Sequence, residues 1–172
     1  VAKRKLKLVP PATEPLRIRV GNGEEPGFTK FGLPPWDVED GSVEAIYSSF
    51  HFHRLDRAGR YAFMNEAYRV LRPGGQVSMV MPHWSSMRAI TDPLAEWPPL
   101  CESSFMVFSK KWREQEAMTD LGLTCDFGDV YGFGTSVDPD IAVRNDEFQA
   151  QARKHWINAN MDLHLTLTKP LK

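Results

Sequence analysis

The stretch Tyr68-Arg69-Val70-Leu71-Arg72-Pro73-Gly74-Gly75-Gln76-Val77-Ser78-Met79-Val80-Met81 decides the reading of the fold. Its middle, Pro73-Gly74-Gly75, must stop any helix that runs into it, because proline lacks an N–H and glycine favours a turn. Upstream, Asp56 is the expected N-cap of a helix reaching about Leu71. Phe63, Ala67, Val70 and Leu71 recur at helical spacing and form one apolar stripe. Arg57, Arg60, Asn65, Glu66 and Arg69 occupy much of its polar side. Downstream, residues 77–81 are almost continuously apolar, as expected of a central, buried strand. Helix, tight turn and buried strand therefore follow one another within one segment.

Outward from this segment, strands and helices alternate. Leu16-Arg17-Ile18-Arg19-Val20 alternates apolar and basic residues and predicts a strand with one wet face, closed by Gly21-Asn22-Gly23. Residues 24–36 read as loop. Val43-Glu44-Ala45-Ile46-Tyr47 predicts a second strand. After the central strand, residues 82–99 read as a long irregular segment and 105–108 as a short apolar run. Ser109 is placed to cap a helix over 110–121 that Gly122 ends. A strand is expected over 123–131, a turn at Asp138-Pro139-Asp140 and a helix over 145–157. Residues 161–168 alternate cleanly and form the last strand. This alternation argues for an α/β sheet. Residues 1–15, with Lys3, Arg4, Lys5 and Lys7 followed by Pro10, Pro11 and Pro15, are expected to be an extended basic arm, and 16–172 the folded domain.

Bulk properties exclude several classes. With 172 residues, 42% apolar and 25% charged, the chain has enough material for one ordinary core. Only Cys101 and Cys125 are present, which is neither a disulfide framework nor a metal-finger spacing and fits a cytoplasmic setting. A net charge of −1 gives no support to non-specific nucleic-acid binding. No apolar run approaches the ~18 residues of a membrane span, and no secretory leader is evident.

Several pieces in fixed order carry a resemblance: Gly21-Asn22-Gly23 through Pro26-Gly27-Phe28, Asp40-Gly41-Ser42-Val43-Glu44-Ala45-Ile46-Tyr47, Phe63-Met64-Asn65-Glu66 through Pro73-Gly74-Gly75, Pro82-His83-Trp84-Ser85-Ser86, and Asp162-Leu163-His164-Leu165-Thr166-Leu167. Over about residues 16–169 the chain resembles a short class I S-adenosylmethionine (SAM) methyltransferase of the compact kind found in bacteriophage and bacterial genomes. The resemblance implies a truncated Rossmann-like sheet, mostly parallel with an antiparallel C-terminal strand and helices on its faces. It also implies a ligand crevice at the carboxyl ends of the strands. Gly21 and Gly23 align with the family's cofactor glycines, and Asp40 and Ser48 are further cofactor contacts if SAM binds.

The sequence departs from that pattern at three places. Arg19 stands where the resemblance implies an acid facing the cofactor's ammonium group. Residues 28–35 are too few for a full second strand with its connections, so that element is expected to be deleted along with the carboxylate that holds the ribose. Phe50-His51-Phe52-His53-Arg54 replaces a run in which relatives pair an acid with histidine.

Other candidate groups are weighed against plainer roles. His83 is the candidate general base beside a methyl acceptor, against a loop histidine satisfied by a backbone carbonyl. His51, His53 and His83 could meet at one sheet edge as metal ligands, but no carboxylate pattern supports this and no metal is expected. Trp84, Trp97 and Trp112 could stack on a flat substrate, with core or interface packing the plainer role. Lys110, Lys111 and Arg113 could form a small phosphate-contacting patch, with the wet face of a helix the plainer role, and Arg153, Lys154, His155 and Trp156 read as a helix end suited to positive charge.

Two functions follow. The favoured one is a cofactor-deficient methyltransferase-like module that acts structurally or by interaction. It would work with a protein partner or as a homo-oligomer, in a phage particle or another assembly, without a cofactor and without a membrane. The alternative is an active enzyme that uses SAM to methylate an O or N acceptor.

Overall fold

The computed structural model describes residues 15–21, 23–128 and 131–171, without the side chain of Tyr131. The expected arm over residues 1–15 falls outside this description except for Pro15. Chain order is β1 (Leu16–Gly21), β2 (Thr29–Phe31), β3 (Val43–Ser49), a 3-10 turn (Phe52–Arg54), α1 (Arg57–Val70), β4 (Leu71–Pro82) and α2 (Met87–Thr91). A longer 3-10 segment (Glu102–Phe108) follows, then α3 (Lys110–Gln115), β5 (Tyr131–Val137), α4 (Pro139–Ala142), α5 (Asp146–His155) and β6 (Asn160–Thr168).

The strands form one six-stranded sheet in the order β2-β1-β3-β4-β6-β5. β1, β2, β3 and β4 pair in parallel. β6 lies antiparallel between β4 and β5. This is the Rossmann-like α/β sheet expected, with the C-terminal strand running against the rest.

α1 forms where the sequence places it. Asp56 caps it by accepting the Gly59 amide at 2.7 Å, and the helix stops one residue before Leu71, which already belongs to β4. Phe63, Met64, Ala67 and Val70 are buried against the sheet core around Ile18, Val20, Ile46, Val77 and Met79. Each such large side chain contributes about 1.5–3 kcal/mol on leaving water. Phe52 completes the core, its ring 5.6 Å from Phe63 and 5.7 Å from Phe105.

Five sequence expectations need correction. β4 starts at Leu71, so Pro73-Gly74-Gly75, expected as a tight turn between helix and strand, lies within the strand. The second strand is shortened, not deleted: Thr29–Phe31 pairs with Ile18, Arg19 and Val20. No helix stands between it and β1 among the described residues. The strand expected over 123–131 begins only at Tyr131, because Cys125 and Phe127 are buried in a non-strand segment whose Phe127 amide donates to the Phe108 carbonyl. α3 ends at Gln115, well short of 121. Arg113 is no wet-face residue: it is buried and donates to the Val107 and Cys125 carbonyls at 2.7 and 2.9 Å.

The second face of the sheet carries Tyr47, Ser78, Val80, His164 and Thr166 beside Gly132 and Gly134, and they line an open groove of about 430 Å3. Ser78 and Thr166 hydroxyls meet across β4 and β6 at 3.0 Å. Sheets built from parallel strands ordinarily have both faces covered.

Candidate functional site

The carboxyl ends of β1, β3 and β4 define the edge where a Rossmann-like fold binds its ligand. Gly21 and Gly23 both lie there with positive φ, 100° and 93°. A Cβ on Gly21 would stand 2.5 Å from the Ser49 carbonyl oxygen and 3.1 Å from the His51 Cβ, whereas one on Gly23 would meet nothing among the described residues. The first glycine is therefore used for close packing against the end of β3, and the second leaves open space. Arg19 is buried and its guanidinium donates to the Gly21 carbonyl at 3.4 Å. β2 ends at Phe31, and the carbonyl of the following Gly32 accepts the Trp36 indole N–H at 2.9 Å.

Ser48 is buried beside these ends, and its hydroxyl has no partner among the described residues. The His51 Nε2 is likewise buried without a partner. Burial, and secondarily the Arg54 charge, lower the His51 pKa and keep its ring neutral. Asp40 lies elsewhere. It precedes β3, at the opposite end of the sheet, and pairs with Arg69 in the last turn of α1. The structure thus gathers Gly21, Gly23 and Ser48 at one edge and leaves Asp40 apart from them.

The histidines do not converge. His53 faces Asp92, Nε2 to Oδ2 at 2.9 Å. Asp92 also accepts from Leu94 and Arg54, and the Leu94 amide first, then His53, hold its carboxyl down at about 2. Among the described residues no group of three or more His, Cys, Asp or Glu could hold a metal ion.

His83, at the carboxyl end of β4, is buried. Its ring is satisfied by a hydroxyl and not by a backbone carbonyl: Nδ1 lies 2.8 Å from Ser85 Oγ. The Ser85 amide also donates to Nδ1 at 3.3 Å, which places the lone pair on Nδ1 and the proton on Nε2. Nε2 faces the Glu102 carboxylate at 3.5 Å. Trp84 is about half exposed and Trp97 largely so, and neither belongs to the buried core. Glu102, Arg153 and Lys154 line a cavity with His83, an association invisible in the sequence because nothing local links positions so far apart.

A family model described as "Methyltransferase domain" matches residues 3–79. No curated protein matches the chain. A SAM-dependent methyltransferase from Archaeoglobus fulgidus superposes with a TM-score of 0.55 at 11% identity, over 90% of this chain and 86% of the other. The 16S rRNA (adenine(1408)-N(1))-methyltransferase from Catenulisporales acidiphilia gives 0.49 at 12% identity, over 99% and 98%. A chain of the complex between the Haloferax volcanii Trm112 methyltransferase activator and a putative methyltransferase gives 0.47 at 13%, over 86% and 64%. The first of these likenesses carries the fold. No helix among the described residues is long and apolar enough to cross a membrane.

Proposed function

We propose that this class I methyltransferase-like chain is a cofactor-deficient module that works by interaction with protein. The observation that carries this reading is the state of the cofactor edge. Gly21 is packed on Ser49, the Arg19 guanidinium is folded into the glycine loop, and β2 ends without a carboxylate. A cofactor ammonium within ~4 Å of that guanidinium would be opposed by about 4 kcal/mol at an effective dielectric near 20. A ribose would find no bidentate acceptor at the end of β2. The residues present therefore do not fit SAM. The open second face of the sheet supports the interaction half of the reading, since such faces are ordinarily covered.

Calorimetric titration with SAM and with S-adenosylhomocysteine tests the reading. Silence up to ~1 mM ligand is expected, and binding at ~1–100 μM would overturn it. Arg19→Asp should not restore tight binding, because the missing ribose acceptor is untouched. A micromolar Kd for that variant would show the carboxylate to be dispensable.

The second reading is a SAM-dependent transfer of a methyl group to an O or N acceptor. Two observations favour it: the unpartnered Ser48 hydroxyl and His51 Nε2 at the same edge, and the free space above Gly23. The same titration separates the two readings.

A further inference from the structure

Beside His83 a cavity of about 270 Å3 opens between the end of β4, the Glu102 segment and the last turn of α5. Trp84 and Trp156 contribute aromatic walls, and both indoles are about half exposed, 53% and 52%. Arg153 and Lys154 also line it, and neither side chain makes an ion pair or hydrogen bond among the described residues. Cations at the end of a helix are favourable in themselves, which explains why they are tolerated there. It does not explain their convergence with two indoles and a buried, hydrogen-bonded imidazole on one concave surface. Glu102 adds an acceptor: among the described residues its carboxylate is approached by His83 Nε2 at a long 3.5 Å, so it retains capacity for a donor from a ligand.

We propose that this cavity binds a small aromatic anion, a single ring carrying a carboxylate or phosphate at one end and a hydrogen-bond donor at the other. Arg153 and Lys154 meet the anion, Trp84 and Trp156 flank the ring, and Glu102 accepts from the donor. The volume falls just below the ~300–1,000 Å3 range of drug-sized sites, which limits the ligand to about one ring and its substituents. The proposal goes beyond the reading above and does not depend on whether SAM binds.

The experiment titrates the full chain with 4-aminobenzoate, benzoate and phenyl phosphate, read by tryptophan fluorescence and by amide chemical shifts. Cyclohexanecarboxylate and aniline remove the ring's aromaticity and the charge in turn. At least one aromatic anion should saturate with a Kd below ~1 mM, and each control should bind at least ~5-fold more weakly. Which anion binds best distinguishes a carboxylate from a phosphate ligand. Arg153→Ala with Lys154→Ala should weaken binding ~10-fold or more, while Lys30→Ala, a cation on β2, should leave it unchanged. The proposal is overturned by absence of saturation at ~10 mM, by equal binding of cyclohexanecarboxylate, by an unaltered Kd in the double variant, or by competition from SAM. Competition would make the cavity part of a cofactor site. SAM silence with aromatic-anion binding would leave both proposals standing, and their failures are separable.

Discussion

Gly21 combines two demands on one residue. Its φ of 100° costs an L side chain about 1–2 kcal/mol, and a Cβ would collide with the Ser49 carbonyl at 2.5 Å. Gly21→Ala should therefore lower stability by about 2 kcal/mol or more. Gly23→Ala meets no atom of the described residues, so it should cost only the backbone term, and urea unfolding of the two variants should separate them. Equal losses would mean that the close approach of β1 and β3 is not maintained in solution. The glycines were legible as glycines from Gly21-Asn22-Gly23. What each one does was not, because the Ser49 carbonyl reaches Gly21 only through the β1–β3 register. The two thiols give a second residue-scale prediction. Burial pushes the Cys125 thiol up to about 12, whereas Cys101 is half-buried. The thiolate is the reactive form. At pH 8 an aromatic disulfide reagent should modify Cys101 in the native protein and Cys125 only on unfolding. Prompt modification of both would show that the Cys125 segment opens.

α1 was legible almost to the residue because every local signal agreed: the Asp56 cap, the apolar stripe and the Pro73-Gly74-Gly75 stop; of β4 only the apolar 77–81 was legible, whereas the strand runs Leu71–Pro82. The turn itself joins β4, whose pairing with β3 starts at Leu71 and shifts register before Gln76. Elements held by tertiary contacts were hidden. β2 is three residues long, and Gly132 and Gly134 dilute the strand pattern of β5. The segment before β5 shows what replaces a strand: the Asn65 carboxamide on α1 donates to the Gly122 carbonyl at 2.9 Å and accepts from the Thr124 and Cys125 amides at 2.8 and 3.1 Å. One exposed-looking polar residue on the helix thus holds a loop that hydrophobic pattern alone presents as a strand. Asn65→Ala should cost about 1–3 kcal/mol and accelerate hydrogen exchange at Thr124 and Cys125. Asn65→Asp keeps the acceptor and should retain most of the protection at those amides. If Asn65→Ala leaves exchange at both unchanged, the loop is held by the burial of Cys125 and Phe127 instead.

At the scale of the whole molecule the sheet has two unlike faces, and the difference bears directly on the interaction reading. Leu163, Leu165 and Leu167 on β6 belong to the buried core. Their neighbours His164 and Thr166 line the open groove. The alternation of β6 announced two faces from sequence, and the covered one was legible from the stripe on α1. The open one was not, because nothing in a strand's own pattern tells whether a helix will lie over its polar side. Leu165→Ala should cost about 2–5 kcal/mol, since the core can close only part of the cavity left behind. Thr166→Ala on the isolated chain should cost about 1 kcal/mol at most, the worth of its hydroxyl contact with Ser78. Both are measured by denaturant unfolding across a range of protein concentrations. A partner on the open face alters only the second value. If that partner is another copy of the chain, the cost of Thr166→Ala rises with concentration while that of Leu165→Ala stays large throughout. A Thr166→Ala cost that is small and independent of concentration leaves a heterologous protein as the partner required by the interaction reading. A cost that is large at the lowest concentration would mean that the face is covered within the monomer, and the open-face support for that reading would then be lost.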